Sequence, residues 1–259
     1  MMLQPHNIVH LWLIDQRSLH LDERRDTFEQ WLSEDELDGL THYSRPELRD
    51  EQLITRAGLR SSLSQYSDSV PPKRWRFERS ERGKPRLSDD SPMSELSFNL
   101  SHSGDWLAIG ITVDNLIGVD LQLRHHQKPL TELAERFFSA PEAEELANLP
   151  EPRQSEHFFR LWTLKEAYLK ARGLGIAHGL DKARFHIDNN GLITAEFDDS
   201  LEDDPHDWQF HHYELDDDYC LSLALKQHRA QDASTHFYKL IPGGHVEPLE
   251  CIGHQIQIQ

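Results

Sequence analysis

Long apolar runs are missing from this chain: none of about 18 residues or more occurs anywhere in its 259 residues, which excludes a membrane-spanning helix. Cysteine is scarce. Cys220 and Cys251 are the two present, and they form neither a metal-ligand spacing nor a disulfide framework, so a reducing cytoplasm is the expected compartment. Basic residues are few, with 27 Lys and Arg against 45 Asp and Glu and a net charge of −18. Such a chain repels nucleic acid and anionic membranes, and any anionic ligand must be held by a local basic cluster or through a metal. The opening MMLQPHNIVHLWLIDQ has no basic n-region and no small-residue cleavage site, and reads as a first strand rather than a signal peptide.

What remains is a soluble, globular composition with 37% hydrophobic residues. Of the histidines, His125-His126 and His211-His212 lack the i, i+4 spacing of a helical zinc site and read as surface residues. Residues 8–14 (IVHLWLI) form a buried strand by pattern, and helices are expected over 22–40, with Ser33 a possible cap for a second segment, and over 47–66. A strand at WRFERS, a loop on Gly83-Lys84-Pro85, the SFNLSH segment, and strands at 106–113 and 117–122 follow. The second half repeats that order, with a helix over 130–147 interrupted at Pro141, a longer one over 154–172, and strands at 183–187, 192–197, 207–215 and 219–226. The resulting division is 1–116, 117–228 and a polar tail, 229–259, to which no structure is assigned.

Three segments carry chemistry. In FFRLWTLKEAYLKARGLG (158–175), Leu161, Leu164, Tyr168 and Ala171 share a core face, while Trp162, Glu166 and Lys170 line another side at i, i+4 and i+8. An exposed Glu–Lys pair worth a few tenths of a kcal/mol would explain that spacing; so would a carboxylate and an ammonium presented together to a metal-bridged phosphate. In GVDLQ (118–122), period-two alternation puts Asp120 and Gln122 on one face, where they could serve Mg²⁺ or simply occupy a strand edge. In FNLSHSGDW (98–106), a Ser101-His102-Ser103 turn could donate hydrogen bonds to phosphate, although polar hairpin turns look the same.

In order and spacing, GKPRL (83–87), FNLSHS, GVDLQ, RFFSAPE (136–142) and WTLKEAYLKARGLG resemble the signatures of 4′-phosphopantetheinyl transferases of the two-lobed, surfactin-synthetase-activating type. The resemblance covers residues 83 to about 187 well and 8–80 more loosely. It implies an α+β fold of two pseudo-twofold-related lobes, each with helices packed on a small antiparallel sheet, and coenzyme A in the cleft between them. Position by position, it implies that Asp120, Gln122 and Glu166 hold Mg²⁺, and that Lys170 contacts the pyrophosphate. Lys84, Pro85, Ser101, His102, Asp120, Lys165, Lys170 and Arg45 would bind coenzyme A. Glu166 would be the general base, with Glu142 as second candidate. Gln122 departs from the glutamate many relatives carry, and the segment 34–45, where relatives place basic residues for the 3′-phosphate, reads EDELDGLTHYSR.

The implied reaction is Mg²⁺-dependent transfer of the phosphopantetheine arm from coenzyme A to a serine of an apo acyl or peptidyl carrier protein, with release of 3′,5′-ADP. Because such carriers are generally acidic, docking is expected on a local patch near Arg160, Arg172 and 124–136. One chain could supply both sides of the cleft, which points to a monomer. The competing readings are a Mg²⁺-dependent hydrolase of coenzyme A and a non-catalytic module that binds coenzyme A or a carrier.

Overall fold

The apolar run at 8–14 forms the first strand of an α+β structure. The computed structural model describes residues 8–125, 129–175, 179–188, 191–216, 218–226 and 233–258. Strand β1 (Ile8–Asp15) leads into α1 (Leu21–Trp31), α2 (Glu34–Thr41) and α3 (Pro46–Leu63), then β2 (Phe77–Arg79), β3 (Pro85–Leu87), β4 (Leu96–Ser103) and β5 (Trp106–Val113). The same order then recurs. Strand β6 (Ile117–Leu123) leads into α4 (Leu130–Phe137), α5 (Ala140–Asn148) and α6 (Glu151–Arg172), then β7 (Ala183–Ile187), β8 (Ile193–Phe197), β9 (Trp208–Leu215) and β10 (Tyr219–Lys226). In each half the opening strand pairs antiparallel with the last strand of the closing hairpin, β1 with β5 and β6 with β10.

Local chemistry explains where the helices break. Ser33 and Glu36 form a capping box that starts α2, so the expected helix over 22–40 is two helices. Ser139 and Glu142 do the same for α5, with Pro141 in its first turn, which divides the expected helix over 130–147.

The tail, unassigned from the sequence, belongs to both sheets. It forms β11 (Ser234–Leu240), β12 (Val246–Leu249), β13 (Cys251–Ile252) and β14 (Gln255–Ile256). Strand β11 lies parallel to β1 and β14 parallel to β9, giving sheet orders β12-β11-β1-β5-β4 and β13-β14-β9-β10-β6. Each sheet is therefore antiparallel apart from one tail strand.

Alternation along the strands sets the layers. On β1 and β5, Trp12, Ile14, Leu107, Ile109 and Ile111 face the α1–α3 side, where Phe28, Leu53, Ala57 and Leu63 complete a core. Their alternates Val9, Leu11, Leu13 and Ala108 meet Val119, Leu121, Leu221 and Leu223 of the other sheet. Beyond that sheet, Cys220 and Ala224 pack with Leu164, Ala167, Tyr168 and Ala171 of α6. The layers run helix, sheet, sheet, helix. Among the described residues no helix is long and apolar enough to cross a membrane.

Two edge strands, β4 and β6, adjoin where the sheets meet, and side chains close the seam between them. Asn99 Oδ1 accepts from Val119 N at 2.8 Å and Ser103 Oγ accepts from Leu123 N at 3.0 Å, so two edge donors of β6 are satisfied without a sheet ladder. Helix α6 crosses β6 at Gly118, where a Cβ would fall 1.9 Å from the Ala167 carbonyl oxygen and 2.6 Å from Ala171 N. Backbone rather than a flexible side chain occupies that space. Gly118→Ala is expected to destabilise the fold by about 3 kcal/mol in urea titration, the upper range for overpacking. It should also lower activity by displacing α6; wild-type stability and activity would show that the crossing tolerates a methyl group.

Candidate active site

The seam carries a polar cluster drawn from both halves. Asp120, on β6, is 1% exposed. Its Oδ1 accepts from Ser101 Oγ of β4 at 3.0 Å and from Lys170 Nζ of α6 at 2.6 Å, and Lys170 also donates to Ser101 at 2.9 Å. Gln122 Nε2 donates to Asp120 Oδ2 at 3.3 Å. These residues, with Leu100, His102, Trp162 and Glu166, line an open cavity of about 370 Å³. The stripe Trp162, Glu166, Lys170 expected from the helical wheel does face one cavity. The Ser101-His102-Ser103 segment, expected as a turn, is the end of β4, and the turn itself is Gly104-Asp105.

Glu166 differs from Asp120, the other carboxylate of the lining. Its Oε1 is buried and has no hydrogen-bond partner. Burial first, then the neighbouring charge of Asp120, push its pKa up to about 7, with Lys170 opposing. Two converging carboxylates with an unpartnered oxygen, backed by an amide, fit a hard cation that takes one or two carboxylates and completes its shell with phosphate and water. Among the described residues no cluster of three or more His, Cys, Asp and Glu is present.

Other expected residues lie elsewhere. Lys165, expected to bind coenzyme A, is fully buried on the opposite side of α6. Its ammonium donates to Glu142 Oε2 and Leu180 O, both at 2.8 Å, and to the Ala183 carbonyl. Glu142, the alternative base, also accepts from Ser139 N, Ser139 Oγ and Phe185 N. Both are committed to tying α5, α6 and β7 together, and neither reaches the cavity. The motif Ser139-x-x-Glu142 is a capping-box pattern, so the signal for this role was present in the sequence.

Lys84 borders two neighbouring cavities, one of about 230 Å³ shared with Pro85 and one of about 590 Å³ lined by Arg79, Arg82, Arg86 and Arg172. Its ammonium donates to Ile117 O at 2.8 Å and Ala171 O at 3.0 Å, so it fastens β6 to the last turn of α6, and burial lowers its pKa to about 8. Arg45 is exposed at the start of α3 and lines none of these cavities. Nearby Arg60 is buried against Glu36 and the carbonyls of Pro72 and Trp75. Arg160 pairs with Glu156 and Arg172 with Asp203, so both docking candidates are engaged within the chain. Of the segment 124–136, residues 126–128 lie outside the described residues, as does His126. His212, expected at the surface, is buried between Ser222 and Glu214, and burial pushes its pKa well down.

One site residue has no sequence signal at all. Glu51 of α3 reaches His102 at the cavity wall, Oε1 to Nδ1, at 2.5 Å.

Because Glu166 rises from an ordinary 4.5 to about 7 on folding, its contribution is favourable below about 4.5 and is lost as pH rises through 7. Glu166→Gln, which mimics the protonated form, should therefore stabilise the protein by about 1–2 kcal/mol at pH 8 and by little at pH 4.5. Urea midpoints at the two pH values measure this; an equal effect at both would remove the carboxylate's charge as the cause.

Two family models match the chain: the 4′-phosphopantetheinyl transferase superfamily over residues 116–224, and the N-terminal region of 4′-phosphopantetheinyl transferase over residues 23–113. The chain is 42% identical over 171 residues to the 4′-phosphopantetheinyl transferase HetI of Nostoc sp., covering 65% of this chain and 70% of that protein. It is 29% identical over 222 residues to a phosphopantetheinyl transferase of Thraustochytrium sp., covering 81% and 75%. Among solved structures, the holo-[acyl-carrier-protein] synthase of Thermotoga maritima aligns with a TM-score of 0.36 and 20% identity, over 44% of this chain and 65% of that one. The identity to HetI and the two adjoining family matches establish that the chain belongs to the 4′-phosphopantetheinyl transferase superfamily of enzymes.

Proposed function

We propose that this chain transfers the 4′-phosphopantetheine arm of coenzyme A to a serine of an apo acyl or peptidyl carrier protein, releasing 3′,5′-ADP. The observation that carries the reading is the cluster at the seam, where Ser101, Asp120, Glu166 and Lys170 converge on one open cavity and one carboxylate oxygen is left unpartnered. A structural ion pair would have no use for that orphaned acceptor. Asp120 and Glu166, with the Gln122 amide beside them, would hold Mg²⁺. When bound, the ion supplies Lewis-acid charge neutralisation to the pyrophosphate.

The chain's own groups divide the remaining work. The Lys170 ammonium and the Ser101 hydroxyl bind oxygens of the pyrophosphate, holding the reacting phosphorus in line with the incoming serine. The carrier serine oxygen bonds to the phosphorus that carries pantetheine, the bond from that phosphorus to the ADP oxygen breaks, and the serine proton passes to Glu166. The adenosine end would lie toward the groove lined by Arg79, Arg82 and Arg86, behind the Lys84 clamp. One chain contributes both walls, so a monomer suffices.

Intact mass of an apo carrier after incubation with the chain, coenzyme A and Mg²⁺ tests the reading. One phosphopantetheine should be gained, and EDTA or Asp120→Ala should abolish the gain. Glu166→Gln should slow transfer by about 10²–10⁴-fold, the range for a lost general base. Glu142→Gln should instead lower stability, since it leaves Lys165 buried without its counter-charge. Coenzyme A binding without transfer to any carrier class would favour a non-catalytic module, and release of phosphopantetheine without a carrier would favour a hydrolase.

A further inference from the structure

Between α6 and the sheet it packs on, four side chains form a continuous polar chain that the chemistry above does not use. Thr163 Oγ1 lies 2.7 Å from Ser222 Oγ, Ser222 Oγ lies 3.0 Å from His212 Nδ1, and His212 Nε2 lies 3.1 Å from Glu214 Oε1. Thr163 and Ser222 are both 0% exposed. Glu214 in turn pairs with Arg124 and, at 3.8 Å, with Arg160. Burial, then the guanidiniums of Arg160 and Arg124, push the His212 pKa well down, so the ring is neutral. A neutral ring beside a carboxylate donates to it, and its other nitrogen accepts. The Ser222 hydrogen therefore goes to His212, and Thr163 supplies the hydrogen that closes the gap to Ser222.

The chain meets both elements that carry the cavity's carboxylates. Across the sheet, Ser222 of β10 stands directly opposite Asp120 of β6 on one side and His212 of β9 on the other. Directly opposed residues share a sheet face, so Asp120, Ser222 and His212 form one row under α6. Thr163 stands one turn before Glu166 on α6, and Arg124 stands two residues beyond Gln122 at the end of β6. The chain thus ties α6 to β6 by a route through β10 and β9, independent of the seam. Around it the interface is apolar, with Leu164, Ala167, Cys220 and Ala224. Apolar packing is non-directional and would hold α6 on the sheet at more than one height or rotation. A fully satisfied buried polar chain selects one of them.

We propose that Thr163, Ser222 and His212 are positioning residues for the metal site: by locking α6 onto the sheet they set the place of Glu166 relative to Asp120, and with it the Mg²⁺ affinity of the pair. The inference rests on the proposed role of those two carboxylates in holding Mg²⁺. None of the three residues lines the cavity, so each acts through the backbone that carries a ligand.

Coenzyme A affinity, read by calorimetry on the full chain in EDTA and over a range of Mg²⁺ concentrations, tests it. Ser222→Ala removes one oxygen and breaks the chain at its centre. It is expected to raise the Mg²⁺ concentration that gives half of the affinity gain by about 10-fold, the low end for loss of groups that orient metal ligands. Affinity in EDTA should be unchanged. Thr163→Val should behave in the same way, and Thr163→Ser, which keeps the hydroxyl, should behave as the unmodified chain. Ser222→Ala combined with Thr163→Val should be no worse than either alone, because both break one link. Urea midpoints of each variant read stability separately. Lower midpoints with an unchanged Mg²⁺ requirement, or an affinity loss of equal size in EDTA and in Mg²⁺, would overturn the inference and leave the transferase reading intact. Coenzyme A binding by the unmodified chain with no dependence on Mg²⁺ would overturn the metal reading of Asp120 and Glu166, and this inference with it.

Discussion

A carboxylate buried at the meeting of two sheets is the constraint around which the site is organised. Asp120 is 1% exposed, and a charge so far from water must be paired or hydrogen-bonded. Its partners come from three elements: Ser101 from β4 in the first half, Lys170 from α6 in the second, and Gln122 from its own strand. Satisfying Asp120 therefore requires the halves to stand in one relation to each other. Asn99 and Ser103 fix the strand edges on either side of it, and Gly118 lets α6 come near enough for Lys170 to reach. The polar alternation Asn-x-Ser-x-Ser on β4 thus does structural and chemical work with the same three side chains.

Helix α6 presents charged groups on two sides, and their hydrogen bonding tells the sides apart. The carboxylate of Glu142, facing Lys165, accepts from Ser139, Phe185 and Lys165, leaving neither oxygen idle. Breaking such a pair by removing one partner strands a buried charge, which is why it serves cohesion. Glu166 is nearly as buried, yet one oxygen is unpartnered and its pKa is raised to about 7. The two carboxylates thus differ in how fully their oxygens are satisfied, and that difference separates the cohesive pair from the group that faces the cavity.

How much of this was legible in the sequence depends on the range of the interaction. Helical spacing alone put Trp162, Glu166 and Lys170 on one stripe, and strand alternation put Asp120 and Gln122 on one face; both are local geometry and both hold. Lys165 was misplaced although the same wheel locates it, one turn from Leu161 and beside Tyr168 in the apolar stripe, because a lysine next to a site glutamate reads as a site lysine. The tail escaped notice for another reason. Its strands are two to seven residues long, and β11 pairs with a strand at the far end of the chain, so nothing nearby in the sequence reports the pairing. Glu51 and His102 are likewise joined only by the fold.

Net charge and site charge work in opposite directions here. A chain of −18 does not draw an anionic ligand by its overall field, and beyond a Debye length of about 8 Å at physiological salt exposed charges are largely screened. Affinity must then come from what lines the cavity and its neighbours. Lys170 lines one cavity and Arg79, Arg82 and Arg86 line another, where Lys84 fastens β6 to α6. Burial keeps the Lys84 ammonium near a pKa of 8 and spends its donors on two carbonyls, so it aligns the basic groups rather than adding to their field. The charge that matters for an anionic substrate is thus set by a handful of side chains placed by backbone contacts. An acidic surface can coexist with such a site because water and salt hide one from the other.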